Sequence, residues 1–307
     1  MVDELSPDDL RTATGRRMRA SGARWLFASA AGLTVLVSVL ILWTIGREAW
    51  GFVSNVEFDQ LFSIGWFPRR GLFDVGTLLL NTLEISGVAM VVSVPAGLGA
   101  ALYLSEYARP GVRRIIKPTL ELLASVPSVV LGVFAISFIT PNVLSAFIAD
   151  INFFNKLAAG IAVGLLVVPL IASISEDALR AVPNSLREAS AGLGARQITT
   201  TVRVVAPAAL SGMTAAVVVG FSRAVGETMV VTIASGGGDT SLFSLSLTES
   251  GGTLTSAMAA LGLGTDQVAG SDLAFQSLFF LGAVLFVITL GLNMVGNGIV
   301  NRLRERY

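Results

Sequence analysis

The sequence predicts an all-α, polytopic membrane protein with six transmembrane helices. Of its 307 residues, 53% are hydrophobic and 14% charged, whereas soluble domains carry about 25% charged residues. Six apolar runs, at about 25–46, 76–104, 118–140, 157–175, 208–234 and 274–300, approach or exceed the roughly 20 residues that cross about 30 Å of hydrocarbon. Backbone in lipid must satisfy its own hydrogen bonds, so these runs are read as helices. The ten-residue alternating segments of a transmembrane barrel are absent.

Orientation follows from Lys and Arg, which concentrate on the cytoplasmic side. With the N-terminus inside, sixteen of the 21 fall on that side, four (Arg47, Arg69, Arg70 and Lys156) on the other, and Arg223 within a span. Both termini are therefore expected to be cytoplasmic. Residues 1–24 read as a hydrophilic cytoplasmic tail. The first run, 25–46, reads as an uncleaved signal anchor and a peripheral helix, because it holds no ionisable residue and no proline.

The chain has no Cys and no His. That excludes disulfides, thiolate chemistry, zinc sites of the usual kind and His general bases. No cofactor, metal or nucleic-acid partner is expected, and no catalytic residue is assigned. A G-x-x-x-x-G-K-[ST] phosphate loop is missing, since Gly236–Gly238 leads into Asp239 without a Lys. Any use of ATP must come from another subunit.

Within the core, three successive runs contain Pro95, Pro127 and Pro169. Each removes a helix hydrogen bond, which is tolerated in a packed bundle lining a path. Gly160 and Gly164 form a small-xxx-small pair, read as helix packing. Trp50, Trp66, Phe67 and Phe73 lie in a loop on the outer side and read as interfacial aromatics. The outer segment 235–273 is rich in Gly, Ser and Thr; its middle, TLTSAMAALGL, predicts a short helix capped by Thr or Ser.

Four ionisable residues fall within runs: Glu84, Glu121, Arg223 and Glu227. Such residues usually face a bundle interior or a pathway. Arg223 and Glu227, at i and i+4, would share a helix face, about 15 residues or roughly 22 Å into their run. A guanidinium matches oxyanion oxygens in a bidentate fork, and Ser222 and Thr228 add hydroxyls. From the residues alone, a structural ion pair and a substrate contact stand level. Three acids against one Arg is unusual for an anion path. Glu84 is expected to be structural or close to the outer interface.

Between two runs lies a polar island, EDALRAVPNSLREASAGLGARQITTTVRVVAP (Glu176–Pro207). Pro183 suits a first helical turn. Leu186, Ala189, Ser190 and Leu193 are spaced as one small or apolar face, with Arg187 and Glu188 pointing elsewhere. Gly192 and Gly194 permit a turn, and a second short helix should run through about Gln197–Val205. A connector needs far fewer residues, so the island is read as a surface offered to a partner.

The island resembles the permease subunits of ABC importers, whose signature is Glu-Ala-Ala, three residues, Gly, nine residues, a branched aliphatic residue, one residue, Leu and Pro. Here Glu188, Ala189, Ser190, Gly194, Val204 and Pro207 stand at that spacing, with Ser190 in place of Ala and Ala206 in place of Leu. PAGLGAALYLSEYA (Pro95–Ala108), LELLASVPSVVLG (Leu120–Gly132), SRAVGETMVVTIASG (Ser222–Gly236) and LFVITLGLN (Leu285–Asn293) are similar to phosphate-specific transport permeases, nearer the PstC type than the PstA type. The resemblance runs over residues 66–307. It implies a permease core containing a coupling segment, 176–207, that docks on a separate dimer of ATP-binding subunits through Leu186, Arg187, Glu188, Ala189 and Gly194. It also implies a substrate path containing Ser222, Arg223, Glu227 and Thr228, a second permease that is a homologous but different chain, an extracytoplasmic phosphate-binding protein, and the plasma membrane of a prokaryote. The rival readings are a permease for sulfate or molybdate and an ion-coupled secondary transporter; the latter would not explain the island.

Overall fold

Proline and glycine decide where the predicted runs stay straight and where they break. The computed structural model describes residues 14–61, 63, 65–236, 242–263 and 272–303. Residues 1–13 of the expected tail, Asp239, Asp266 and the chain end after Leu303 lie outside them.

The chain divides into two units, up to Glu48 and from Ala49 onward. Helix α1 (Thr14–Asn55) begins before the predicted apolar run and ends after it. In the first unit its side chains from Gly22 to Thr44 are exposed. The helix over Gly22–Asn55 has a mean hydropathy of 2.3 in its most apolar part and is long and apolar enough to cross a membrane.

In the second unit, the last turns of α1 and a short helix, α2 (Phe58–Leu61), precede a two-stranded antiparallel hairpin. Strand β1 (Trp66–Phe67) pairs with β2 (Leu72–Phe73) in the register Trp66↔Phe73 and Phe67↔Leu72. Gly71 closes the turn at φ +72°, a left-handed conformation that glycine reaches without steric cost. Trp66 and Phe73 are fully buried and meet edge to face, with Phe52 against Phe73. They are therefore core residues and not the interfacial aromatics predicted; Trp50 is exposed.

Asp74 caps α3 (Val75–Leu102), accepting from the Thr77 amide at 3.0 Å and its hydroxyl at 2.6 Å. A π-helical turn, Tyr103–Tyr107, ends this span. The predicted run 118–140 is not one helix. Amphipathic α4 (Pro110–Ala124) stops before Pro127, and α5 (Ser128–Phe134) with its π-helical continuation Ala135–Leu144 leaves at 88°. Proline forces the preceding residue out of the helical region. Pro127 thus marks a break and not a kink within a span. Glu121 lies on α4, before this break.

Helix α6 (Lys156–Arg180) follows, capped by the Asn155 side chain on the Ala158 amide. Then come α7 (Asn184–Gly192), α8 (Gln197–Thr200), a π-helical turn (Thr201–Val205) and α9 (Ala206–Ala208). The second helix of the island thus reaches Ala208, beyond the predicted Val205. Helix α10 (Leu210–Val225) departs from this arm at 69°. The run 208–234 is broken again at Gly226–Thr228, where α11 (Met229–Ser235) begins. Helix α12 (Leu254–Leu263) and the long α13 (Asp272–Leu303) complete the described chain. Among the described residues four helices are long and apolar enough to span, or up to six if each bent pair counts as one span.

The core is built on α3 and α6, which run parallel. A Cβ on Gly160 would lie 2.6 Å from the Val88 Cβ, and one on Gly164 2.9 Å from the Val92 Cβ. The backbones can approach this closely only where the interface residues are small, as the glycine pair predicted. Further along, Gly97 meets Ile171 at a virtual 2.8 Å. Buried Ile85, Ala89, Ala159, Ala162, Val163, Val167 and Ile171 join Ala216 and Ala224 of α10 and Val230 and Val231 of α11 in one cluster.

The predicted short helix in the 235–273 segment exists as α12, but it is not a surface feature. Leu254, Thr255, Ser256 and Ala257 are buried. The Thr253 hydroxyl accepts from the Ser256 amide at 3.2 Å while the Ser256 hydroxyl accepts from the Thr253 amide at 2.7 Å, a reciprocal cap. The Leu254 amide donates to the Thr82 hydroxyl at 3.1 Å and the Asn81 side chain to the Gly252 carbonyl at 3.0 Å.

Gly160→Leu should lower the thermal midpoint of the purified chain, because over-packing a filled contact costs about 1–3 kcal/mol. Gly87→Ala on the exposed face of α3, where a Cβ meets nothing within 4 Å, should leave it unchanged or raise it.

Candidate functional site

Two polar constellations stand out from the apolar bundle, one in the α10–α11 break and one at the Arg180 end of α6. A third, at the Lys156 end, holds the frame together.

The break at Gly226–Thr228 frees backbone groups that a helix would satisfy. The Glu227 carbonyl is taken by the Thr255 hydroxyl of α12 at 2.8 Å, and the Glu227 amide donates to the Ala224 carbonyl at 3.3 Å. Glu227 is thereby held at 6% exposure, whereas the Arg223 side chain is 56% exposed. Their closest N–O distance is 3.9 Å, an ion pair without a hydrogen bond. The two are not neighbours on one continuous helix, as predicted, but face each other across its end. The Ser222 hydroxyl donates to Asn293 Oδ1 of α13 at 3.3 Å, and the Thr228 hydroxyl turns back to the Gly226 carbonyl at 3.3 Å. The four predicted residues cluster without forming an enclosed site in the single chain. Among the described residues the guanidinium has no partner nearer than this ion pair.

At the Arg180 end, the island folds as two short helical arms. The Ser190 hydroxyl bonds the Thr200 hydroxyl at 2.8 Å and joins them. Gly194 forms the corner at φ +77°, with its amide on the Ala191 carbonyl at 2.9 Å. A non-glycine residue there costs about 1–2 kcal/mol. Glu188, Ala189 and Gly194 are exposed, and so is Leu193, at 89%. Leu186 turns inward onto Ala101, Leu179, Val182 and Val205. The predicted face is therefore divided: Leu186 and Ser190 point in, Ala189 and Leu193 point out. Arg187, expected to lie off the small face and, by the resemblance, to meet the ATP-binding subunits, turns into the chain and meets Glu106 at 2.9 Å. Proximity to a buried carboxylate overrides the helical periodicity from which its direction was read.

Glu176, only 1% exposed, is enclosed by Arg113, by Lys117 at 3.3 Å and by Arg180 at 4.0 Å. This cluster ties amphipathic α4 to α6. A polar cavity of about 580 Å³ lies beside it, lined by Arg113, Arg180, Arg187, Glu106, Asn184 and Gln197 among others.

Sequence reasoning missed Lys156, counted among the loop charges. It is the first residue of α6 and fully buried, with its ammonium 2.5 Å from Glu84, 3.1 Å from Asn81 Oδ1 and 2.6 Å from the Ser244 carbonyl. Glu84 is thus structural, as expected. Asn81 and Glu84, three residues apart in an apolar run, were the visible signal for a buried partner. Of the three carboxylates assigned to spans, one is neutralised by Lys156 and another lies on α4. Only Glu227 stays beside Arg223, which removes the apparent excess of acid.

Residues 93–307 match the family described as binding-protein-dependent transport system inner membrane component. The chain belongs to this family. It is an all-α inner-membrane permease subunit of the ABC importer type. The permease is 34% identical to "Phosphate transport system permease protein PstA 1" of Mycobacterium tuberculosis (strain H37Rv), over 72% of this chain and 70% of that one. It is 30% identical to "Phosphate transport system permease protein PstC" of Mesorhizobium japonicum, over 96% and 95% of the two chains. Among solved structures, a bacterial alginate ABC transporter in complex with a periplasmic protein superposes with a TM-score of 0.65 at 16% identity, covering 94% of this chain and 98% of that one. That likeness concerns the fold.

Lys156→Met leaves Glu84 buried without its cation. It should cost about 3–5 kcal/mol, the usual price of breaking a buried pair from one side. The double variant Lys156→Met/Glu84→Gln should recover most of the loss. Thermal unfolding of both in one detergent checks it.

Proposed function

We propose that this permease is a membrane subunit of an ATP-driven phosphate importer and forms part of the translocation path. The observation that carries the reading is Arg223: a guanidinium left open on the surface of an apolar span, beside a break held by α12. A charged side chain facing lipid is costly, so the face bearing Ser222, Arg223 and Asn293 calls for a polar covering. A second permease enclosing an aqueous path with this one supplies it. The relatives bear both PstA and PstC names, which favours a homologous but different chain as the second permease. The PstC protein matches nearly end to end, in keeping with the PstC type.

Energy enters through α7 in this reading. Glu188, Ala189 and the Gly194 corner present an exposed surface to a dimer of ATP-binding subunits, and an extracytoplasmic phosphate-binding protein delivers the anion to the opposite side. The chain then lies in a prokaryotic plasma membrane with both termini and α7 in the cytoplasm, as the bias of Lys and Arg requires.

Arg223→Gln should abolish most phosphate uptake per assembled complex while sparing assembly. Arg223→Gln/Glu227→Gln should not restore uptake, since it removes an ion pair without returning the fork. Near-normal uptake by the double variant makes Arg223 a structural partner and overturns the assignment. The side is tested at a highly exposed island residue. Leu193→Cys, in a chain that naturally has no Cys, should react with an impermeant thiol reagent only after cells are opened. Reaction in intact cells reverses the topology.

A further inference from the structure

Arg187 lies next to the coupling signature yet spends its guanidinium inside the chain. Nη2 donates to Glu106 Oε1 at 2.9 Å and to the Leu179 carbonyl at 2.9 Å. Nη1 donates to the Val182 carbonyl at 2.7 Å and Nε to Glu106 Oε2 at 3.3 Å. Three elements meet at this one side chain: the end of the α3 span, the end of α6 and the start of α7. Glu106 is gripped from the other arm as well, because Gln197 at the start of α8 donates to its backbone carbonyl at 2.5 Å. The carboxylate is 8% exposed and Arg187 22%. A bidentate, shielded fork of this kind is directional and resists shear, unlike a solvated surface pair.

We infer that Arg187 and Glu106 are positioning residues for coupling, a strut that fixes the ATPase-facing arm to the α3–α6 frame so that displacement of the arm moves the spans. On this account Arg187 contributes nothing to the docking surface itself. Leu186 alone gives an apolar contact, which lets the arm roll. The carboxylate in the turn after α3, the Leu179 carbonyl of α6 and the Val182 carbonyl just beyond it fix its rotation. Without the strut the arm can follow the ATPase while the spans stay behind. The strut rests on the importer reading and on the arm being the ATPase contact.

The test is Arg187→Cys/Glu106→Cys in the otherwise Cys-free chain, assembled with its ATPase and second permease in proteoliposomes. The double variant should retain the ATPase and its hydrolysis but consume about fivefold or more ATP per phosphate transported, as expected for loss of a coupling free energy of ordinary size. Joining the two thiols with a short bifunctional reagent should return the ratio toward wild type. A wild-type ratio before cross-linking, a lower yield of complex with a normal ratio, or uncoupling that the cross-link does not relieve each overturns the strut. A second readout is independent of cargo: the distance between spin labels at Leu193 and at exposed Val91 of α3. On ATP binding it should stay fixed with Arg187 present and shift or broaden in Arg187→Gln. No change in the variant refutes the strut. A wild-type complex that takes up no phosphate refutes the substrate reading, and the label distance still decides the strut.

Discussion

The parallel contact between α3 and α6 is the constraint on which the other features depend. Gly160 and Gly164 bring the two backbones together so closely that no side chain fits between them at those levels. Two helices this near and parallel set the start of α6 beside Glu84, ten residues into α3, and bring their far ends together. Lys156 meets Glu84 at the first level, and at the second the turn after α3 holds Glu106 against Arg187 of α7, which also bonds the Leu179 carbonyl of α6. In a membrane no hydrophobic force drives helices together. Small-residue packing along the middle and charge pairs at either end therefore supply what a soluble core would draw from water exclusion.

Breaks are as purposeful as the straight helices. At Pro127 the chain turns by 88°, which lays amphipathic α4 apart from the span. At Gly226–Thr228 the freed Glu227 carbonyl is satisfied by Thr255, from a helix that returns into the bundle. Irregular backbone at membrane depth is tolerated where protein or water, and not lipid, receives its polar groups. That condition explains why α12 is buried and why Arg223 sits beside this break. The polar residues nearby are few, but each terminates or pins an element.

Much of this was legible in the sequence. Run lengths foresaw the unbroken spans, the glycine pair foresaw close helix packing but not its partner, and a Thr/Ser-rich stretch foresaw the cap of α12. Glu188, Ala189, Gly194 and Pro207 marked the island through their resemblance to the permease signature. What was not legible depends on contacts between distant segments. Lys156 reads as a loop charge until α3 places Glu84 and Asn81 against it. Arg187 reads as a surface charge because helical periodicity carries no information about Glu106, eighty-one residues earlier. Trp66 and Phe73 read as interfacial because hydropathy does not reveal the helices that cover the hairpin. Apolar continuity also hides breaks: nothing in the hydropathy of 118–140 or 208–234 separates one helix from two.

In the proposed importer the chain is a passive frame whose motion is driven from outside it by ATP. The most direct measurement is anion uptake into proteoliposomes containing this permease with its ATPase and second permease, with the binding protein supplied on the other side. Phosphate should accumulate only with ATP present, be indifferent to proton and sodium gradients, and be competed by phosphate but not by sulfate. Uptake that persists without the ATPase and follows an ion gradient would contradict the account.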